Sequence, residues 1–173
     1  QSELATYGGI LFRNFGVTTP EEFEKFIRVF SHDLLDYYER ASPRTQVSGK
    51  IYTSTDHPAS QPIFLHNENS YRRTFNKKIF FYCETPAGRG GQTPIADCRK
   101  VFDEISPAVR SRFIDKQWMY VRNYGDGFGL PWQVVFQTDD RYAVEEHCRG
   151  NNIDVEWKND DRLRTSATFP PVL

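Results

Sequence analysis

Apolar side chains at helical spacing mark the clearest element of the sequence, an amphipathic helix that begins after Thr19. Pro20 follows at the first helical position and Glu22 at the third, an arrangement typical of a capped helix N-terminus. The apolar positions predict one helix that extends to Tyr38 and buries this face in a core. They are Phe23, Phe26, Ile27, Phe30, Leu34, Leu35 and Tyr38.

Short runs of β-branched and aromatic residues predict strands in the first half of the chain. ILFRNF, residues 10–15, is typical of a buried strand, and KIFFYCE, residues 78–84, of a central strand because it lacks Pro and Gly. KIYTST, residues 50–55, predicts a strand after the loop SPRTQVSG, residues 42–49. We also expect a strand to end in FLHNE, residues 64–68.

The second half of the chain mixes helices and strands. Asp97 and Ser106 are candidate caps of two short helices, and Thr138 is the candidate cap of a third that ends at Gly150. The remaining predictions are helices in CRKVFDEI and PAVRSRFIDK, a strand in WMYVRNY, a loop in GDGFGLP, and a hairpin of IDVEW and LRTSATF around the turn KNDD. Because strands outnumber helices and come in hairpin-like runs, the sequence favours an α+β, antiparallel or jelly-roll architecture over a doubly wound sheet.

Composition narrows the class of protein. The chain has 173 residues, of which 38% are hydrophobic. Residues 1–173 are therefore the size of one domain and can bury a hydrophobic core. The net charge is -1, and the sequence has no run of like charges, so it does not predict a basic surface that would bind nucleic acid or an anionic membrane. Small, near-neutral partners are expected. No apolar run approaches the roughly 20 residues that cross a bilayer. Three cysteines without a C-x-x-C pair predict a reducing cytoplasm.

His66 and Glu68 are a candidate metal site within IFLHNENSYRR, residues 63–73. If FLHNE ends a strand, residues at i and i+2 face the same side, so the imidazole and the carboxylate project together. With 4 His and 23 acidic residues in the chain, chance gives roughly half of one such match, and a surface hydrogen-bonded pair is the alternative. A second His would complete the 2-His-1-carboxylate facial triad of a non-haem Fe(II) oxygenase.

Several longer motifs follow one another in a specific order: LHNENSY, IFFYCETPAGRGGQTPIADCR, YVRNYGDGFGLPWQVVFQT and LRT. Together they resemble the taurine dioxygenase-like (TauD/TfdA) family of Fe(II)/2-oxoglutarate oxygenases, in particular the branch that contains the syringomycin-type aspartyl hydroxylase. The resemblance extends from GGILFRNF to FPPVL, and motifs in order are far more specific than H-x-E alone. It implies a double-stranded β-helix (jelly-roll) core with flanking helices.

The resemblance implies roles for three residues. His66 and Glu68 would be two of three Fe(II) ligands, and Thr93 would hydrogen-bond a carboxylate of the cosubstrate 2-oxoglutarate. The alternative for Thr93 is an ordinary strand residue after a turn at Gly90 and Gly91. The implied reaction consumes 2-oxoglutarate and O2, releases succinate and CO2, and hydroxylates the substrate. Glu68 favours hydroxylation because related halogenases leave the carboxylate position vacant for a halide.

The resemblance also implies a distal His ligand and an Arg that pairs the far carboxylate of 2-oxoglutarate, both from strands beyond the point matching Leu173. We therefore expect a C-terminally incomplete domain that lacks its late core strands and binds iron poorly, since two ligands are fewer than the triad requires. The other histidines do not match the distal ligand. His32 lies on the flank of the predicted long helix, His57 in a loop, and His147 near a helix end as a partner of the helix dipole.

Residues on either side of the H-x-E motif are candidate substrate contacts. Lys50 and Tyr52 precede it on a predicted strand, and Tyr71, Arg72 and Arg73 follow it, Arg being suited to pairing a carboxylate. The alternatives are a solvated strand face for the first pair and a flexible surface loop for the other three.

Three functions are compatible with the sequence. The first is an Fe(II)/2-oxoglutarate hydroxylase that acts on a small molecule, either an amino acid or an aminoacyl group on a carrier protein, in specialised metabolism. The second is a member of the same family that directs the oxidation toward desaturation, epoxidation or cyclisation, since the outcome depends on substrate pose. The third is a metal-poor binding module that keeps the fold without catalysis, and the intact His66 and Glu68 argue against it.

Overall fold

The computed structural model describes residues 2–42, 44–54, 58, 60–125, 127 and 129–171. Within these ranges it contains six helices and five strands. In chain order they are α1 (Ser2–Tyr7), α2 (Pro20–Arg28), β1 (Gln46–Ser48), β2 (Ile51–Tyr52), α3 (Cys98–Glu104), α4 (Pro107–Lys116), β3 (Trp118–Tyr124), α5 (Trp132–Phe136), α6 (Arg141–Gly150), β4 (Asp154–Trp157) and β5 (Leu163–Phe169). Helices together with antiparallel sheets confirm the α+β class, and the double-stranded β-helix stays a prediction.

The described residues divide into two compact units. The first comprises Gln1–Leu35, Arg44–Leu65 and Lys78–Glu104, and the second comprises Asp36–Pro43, His66–Lys77 and Ile105–Leu173. His66 and Glu68 belong to the second unit, whereas Thr93 belongs to the first. The two units differ in how they bury their hydrophobic side chains.

The second unit contains a three-stranded antiparallel sheet with the strand order β3-β5-β4. β3 pairs with β5 over its whole length, from Trp118 opposite Phe169 to Tyr124 opposite Leu163. β4 and β5 form the predicted hairpin. Every second residue of β5 is buried from Leu163 to Phe169, as the period of two in a half-buried strand requires.

The core of the second unit joins this sheet to α5 and α6. Its buried members are Tyr124, Trp132, Val135, Phe136, Val144, Cys148 and Leu163. Val144 and Cys148 have no exposed surface. Burial raises the pKa of the Cys148 thiol to about 12, so the side chain stays protonated and packs as a small apolar group.

In the first unit, α2 begins as predicted but ends early. The Thr19 hydroxyl accepts a hydrogen bond from the Glu22 N–H at 3.2 Å. The helix buries Phe23 and Ile27 and ends at Arg28, so the prediction of one helix reaching Tyr38 is wrong. Tertiary packing explains the difference, because Tyr38 belongs to the second unit and packs against Phe136 with ring centres 6.3 Å apart.

Three strands predicted from apolar runs do not form. Residues 10–15, 64–68 and 78–84 have no strand pairing in the described part of the chain, and Leu11 and Phe81 are 74% and 67% exposed. A strand is stabilised by a neighbouring strand as well as by packing of one face. These segments pair with no strand within the described residues, although Phe12 and Tyr82 pack against aromatic rings of α2. Helices therefore outnumber strands there, contrary to the prediction.

The short hairpin of the first unit begins earlier in the chain than the sequence predicted. β1 and β2 pair antiparallel, with Gln46 opposite Tyr52. The strand predicted in KIYTST is confirmed over Ile51–Tyr52, whereas the segment predicted as a loop, SPRTQVSG, contributes β1. The predicted strand also included Thr55, which lies outside the described residues.

The predicted helices of the second half are confirmed, but their caps only in part. Asp97 accepts from the Arg99 N–H at 3.0 Å at the start of α3, whereas Ser106 precedes α4 without a side-chain capping hydrogen bond. Asp140, not Thr138, is the N-cap of α6, because its carboxylate accepts from the Tyr142 N–H at 2.9 Å. The Thr138 hydroxyl accepts from the Asp140 N–H at 3.1 Å and so supports the cap. α5 was not predicted. It follows the predicted loop GDGFGLP, of which Asp126 and Phe128 lie outside the described residues.

The length of the helices determines whether any of them, among the described residues, can cross a membrane. The longest helices there, α4 and α6, have ten residues each, and none in the described part is long and apolar enough to cross a membrane. A crossing needs about 20 apolar residues in one helix.

Candidate metal centre

His66 and Glu68 lie side by side where the chain enters the second unit. Nε2 of His66 is 3.9 Å from Oε2 of Glu68. The imidazole is 60% exposed, whereas the Glu68 side chain is more sheltered, at 24%. The pair therefore places an oxygen donor beside a nitrogen donor, and solvent reaches the ring that carries the nitrogen.

The separation of these atoms fits one metal ion. First-row metals bind His nitrogen and carboxylate oxygen at about 2.1 Å, so a single ion can join two donors up to about 4.2 Å apart. Adjacent positions around an octahedral ion lie about 3.0 Å apart at that bond length, so octahedral binding draws the two donors about 0.9 Å closer. An imidazole beside a carboxylate is also two-thirds of the donor set that holds non-haem Fe(II).

The backbone explains why the two side chains meet. Residues 62–67 run without regular secondary structure, and a turn follows in which the Arg72 N–H donates to the Asn69 carbonyl at 3.0 Å. Asn69 opens this turn with φ +55°, a left-handed conformation that Asn adopts more readily than most residues. The predicted projection of His66 and Glu68 to one side is confirmed by their contact, although the strand that was expected to cause it is not.

No group of three His, Cys, Asp or Glu side chains among the described residues is arranged to hold a metal ion. His32 is exposed beyond the end of α2. His147 lies in the last turn of α6, and its role as a partner of the helix dipole stays a prediction. Its Nε2 lies 3.1 Å from Oε1 of Glu39, and its ring packs against Tyr38. His57 lies outside the described residues. The pair of His66 and Glu68 thus gains no third protein ligand in the described part.

Thr93 lies in an exposed segment of the first unit between a bend and α3. Gly90 and Gly91 have φ of +74° and +79°, and the chain bends just before them, at residues 88–89. The structure has neither a turn at the two glycines nor a strand at Thr93. A Cβ atom at Gly91 would lie 2.6 Å from Cβ of Ala87, so this position requires glycine for space as well as conformation. The role of Thr93 in binding 2-oxoglutarate stays a prediction.

The candidate substrate contacts separate into buried and accessible groups. The Tyr71 hydroxyl donates to the Glu39 carbonyl at 2.9 Å, and the Arg72 side chain is only 11% exposed, so neither belongs to a flexible surface loop. Burial raises the pKa of Tyr71 to about 12, which keeps this hydroxyl a donor. Arg73 is exposed. Lys50 and Tyr52, which are half-buried, lie at the hairpin of the first unit.

A buried cluster of charges around Glu39 was missed by the sequence predictions. Glu39 is 4% exposed, and its carboxylate contacts an imidazole and two guanidinium groups. They are His147, through Nε2 at 3.1 Å, Arg72, through Nε at 3.7 Å, and Arg122, through Nη1 at 3.8 Å. A carboxylate in this setting is stabilised by its cations, and removing either partner leaves an uncompensated buried charge.

One sequence signal could have revealed this cluster. Arg122 alternates with Tyr120 and Tyr124 along β3, and these three positions are less exposed than their neighbours. A charged residue at an inward-facing strand position requires a buried partner of opposite charge. The sequence gives no indication that Glu39 is this partner, because the two residues are far apart in the chain.

The chain is similar to known proteins over nearly its whole length. A family model described as "Taurine catabolism dioxygenase TauD, TfdA family" matches residues 1–171. The dapdiamide synthesis protein DdaC of Enterobacter agglomerans is 38% identical over 163 residues, covering 94% of this chain and 50% of the relative. A clavaminate synthase-like protein of Arabidopsis thaliana is 32% identical over 173 residues, covering 95% and 52%. The chain thus spans about half the length of these curated relatives.

Proposed function

Because this chain belongs to the TauD/TfdA dioxygenase family, we propose that the protein is an Fe(II)/2-oxoglutarate-dependent dioxygenase that hydroxylates a small molecule. The family and the clavaminate synthase-like relative imply use of Fe(II) and 2-oxoglutarate in general. The proposed substrate class is an amino acid, free or as an aminoacyl group on a carrier protein. A relative named for dapdiamide synthesis supports a biosynthetic role and agrees with the resemblance to the syringomycin-type branch.

The contact between His66 and Glu68 is the observation that carries the proposal. Their donor atoms lie 3.9 Å apart, and the imidazole is largely exposed. In the proposal both side chains bind iron, a further His of the whole protein completes the triad, and Thr93 hydrogen-bonds a carboxylate of 2-oxoglutarate.

The residues of this chain hold and orient the reactants. When bound, iron with 2-oxoglutarate and O2 supplies the oxidising chemistry, in which one oxygen atom enters succinate, CO2 leaves, and the other oxygen atom enters the substrate as a hydroxyl group. His66 binds through an unprotonated ring nitrogen and Glu68 through its carboxylate, so acid competes with metal binding. The exposed side of the imidazole leaves room for the cosubstrate and the substrate.

The proposal also includes the setting of the site. Residues 1–173 contribute to a single oxygenase domain with a jelly-roll core, as the family resemblance implies. No disulfide joins Cys83, Cys98 and Cys148, which supports a reducing cytoplasm as the location.

An anaerobic titration tests the proposal. Fe(II) and 2-oxoglutarate are added to the full-length protein while the visible charge-transfer band of the chelated complex is recorded. We expect the band in the wild type and its loss in His66→Ala, with His32→Ala as the matched control that keeps it, since His32 is exposed in the first unit. A folded wild-type protein without the band contradicts the oxygenase proposal and favours the binding module. A band that survives in His66→Ala contradicts only the ligand assignment.

A further inference from the structure

The residues immediately after Glu68 are tied to the second unit by their side chains. Asn69 is buried, and its Oδ1 lies 3.3 Å from the oxygen of the Tyr71 hydroxyl. The Tyr120 hydroxyl donates to Oγ of Ser70 at 2.9 Å, which links the turn to β3. The segment that carries the candidate ligands is therefore exposed at His66 and anchored just beyond Glu68.

Glu39 contacts two residues of this segment, Tyr71 and Arg72. Its carbonyl accepts from the Tyr71 hydroxyl, and its carboxylate lies 3.7 Å from Nε of Arg72. The same carboxylate contacts Arg122, whose guanidinium lies 4.3 Å from the centre of the Tyr71 ring. Nε of Arg72 and Nη1 of Arg122 are buried and make no hydrogen bond in the structure, so Glu39 is the counter-charge for both. Its loss would leave two guanidinium groups uncompensated.

The backbone of Glu39 indicates that its position is imposed by these contacts. Its φ is +51°, a left-handed conformation that is uncommon for a residue other than Gly, Asn or Asp. Such conformations persist where the surroundings over-determine them, and they cluster near functional sites.

The space beside Glu39 is too small for a substrate. A cavity of about 10 Å³ is lined by residues that include Glu39, Tyr71 and Arg122. This volume holds about one water molecule. The cluster therefore joins segments of the chain and does not offer a second binding site for an organic anion.

We propose that Glu39 and Tyr71 are positioning residues that hold Glu68 in place for metal binding through the anchored turn. This inference rests on the proposed function of His66 and Glu68 as iron ligands. Because the turn holds Glu68 in place, the two donor atoms reach metal-binding distance mainly through movement of the exposed His66 side chain. Less conformational freedom is then lost on binding, which raises the affinity for the ion.

A pair of matched tyrosine variants tests this role in the full-length protein. Tyr71→Phe removes the hydroxyl that bonds Glu39, whereas Tyr124→Phe removes a buried hydroxyl that pairs with Thr165 of β5 at 3.2 Å. The measurements are the Co(II) dissociation constant by absorption under anaerobic conditions and backbone hydrogen exchange at residues 69–72 without metal. Groups that orient metal ligands typically change affinity by about 10–100-fold when removed.

We expect Tyr71→Phe to weaken Co(II) binding by about tenfold and to speed exchange at residues 69–72. Tyr124→Phe should lose similar stability yet keep the Co(II) dissociation constant within about twofold of the wild type. Its ring lines the same small cavity and is retained in the variant, and its hydroxyl pairs with Thr165 of β5 and not with the turn. Glu39→Gln should weaken binding at least as much as Tyr71→Phe. If Glu39→Gln fails to fold, Tyr71→Phe alone decides the result.

Three outcomes overturn the inference in distinguishable ways. Equal affinities in the wild type and Tyr71→Phe reject the positioning role and leave the proposed function intact. Equal losses in Tyr71→Phe and Tyr124→Phe also reject it, because they indicate general destabilisation. A folded wild-type protein that binds no Co(II) rejects the proposed function and, with it, the positioning role.

Discussion

The two units of the chain contrast in how their hydrophobic residues are used. In the second unit, Leu163 and Val144 are 1% and 0% exposed within a core formed by a sheet and two helices. In the first unit, Phe23 and Ile27 are the buried hydrophobic residues among those described, while Leu11 and Phe81 are mostly exposed. The difference shows that an apolar run forms a strand only where the chain supplies a partner for it.

Aromatic contacts in the first unit illustrate the same point. Phe12, Phe15, Phe26 and Phe30 contact one another with ring centres 5.3–5.5 Å apart, yet Phe15 is 60% exposed. Contacts between rings therefore do not remove these side chains from water. Burial, more than contact, sets the free energy that each residue contributes.

The largest expected effect is a difference between the two units in how much a Leu→Ala substitution lowers the free energy of unfolding. Leu163→Ala in the second unit should lower the free energy of unfolding by about 2–5 kcal/mol, because it leaves a cavity in a filled core. Leu11→Ala in the first unit makes the same chemical change at an exposed position and should stay within about 0.5 kcal/mol. Urea unfolding of both variants measures the difference. Similar losses in the two variants would contradict the contrast between the units.

Helix caps give a smaller effect and a test of the corrected boundary. Asp140→Ala should cost about 1 kcal/mol because the first turn of α6 loses the acceptor of the Tyr142 N–H. Thr19→Ala, which removes the cap of α2 in the first unit, should cost about as much if that helix contributes equally to stability. Circular dichroism during urea unfolding measures both. A cost for Asp140→Ala that is smaller than that of Thr138→Ala would restore Thr138 as the cap.

Elements of the second unit were largely predictable because their partners lie within the same segment of sequence. WMYVRNY, IDVEW and LRTSATF form β3, β4 and β5 as expected, and the alternation along β5 matches its burial. Segments 10–15 and 78–84 carry equally strong strand composition but lack such partners in the described chain. Strand propensity shows that a segment can adopt a strand, and tertiary packing determines whether it does so.

The smallest expected effect concerns acid stability. Hydrogen bonds from Arg99 lower the pKa of Asp97 from its usual 3.8 to about 2. Because the folded pKa is lower than the unfolded one, the stabilisation is complete above 3.8 and is lost as the pH falls toward about 2. Asp97→Asn should therefore make the urea midpoint of unfolding depend less on pH over this range. The change should be small, because the pair is exposed. An unchanged pH profile would show that the contact contributes nothing.

A matching comparison exists in the second unit. There, the side chain of Arg141 donates to Asp161 and lowers the pKa of that carboxyl group. Asp161 also accepts through its carbonyl from Nε1 of Trp132, so this contact ties the turn between β4 and β5 to the core. Asp161→Asn should alter the acid profile in the same direction as Asp97→Asn.

The contact between the two candidate ligands was predictable from the sequence, whereas the contacts that hold the neighbouring turn were not. Spacing and family resemblance identify His66 and Glu68, and the structure places their donor atoms in contact. Glu39 and Arg122 were not foreseen as partners, because a contact between residues far apart in sequence leaves no local pattern. His147 shows the same limit, since its position near the end of α6 suggested a dipole interaction and the fold turns its ring to Glu39.

Succinate formation tests the central claim most directly, namely that His66 and Glu68 form the iron site of a 2-oxoglutarate dioxygenase. The full-length protein is supplied with Fe(II), 2-oxoglutarate, O2 and ascorbate in chloride-free buffer, and succinate is measured by mass spectrometry. Ascorbate provides the two electrons that reduce the second oxygen atom to water when no substrate is present. The control is Glu146→Ala, which changes an exposed Glu on α6. We predict succinate from the wild type and from Glu146→Ala, and only background from His66→Ala and Glu68→Ala. Equal succinate from all four proteins, or none from the folded wild type, would contradict the claim.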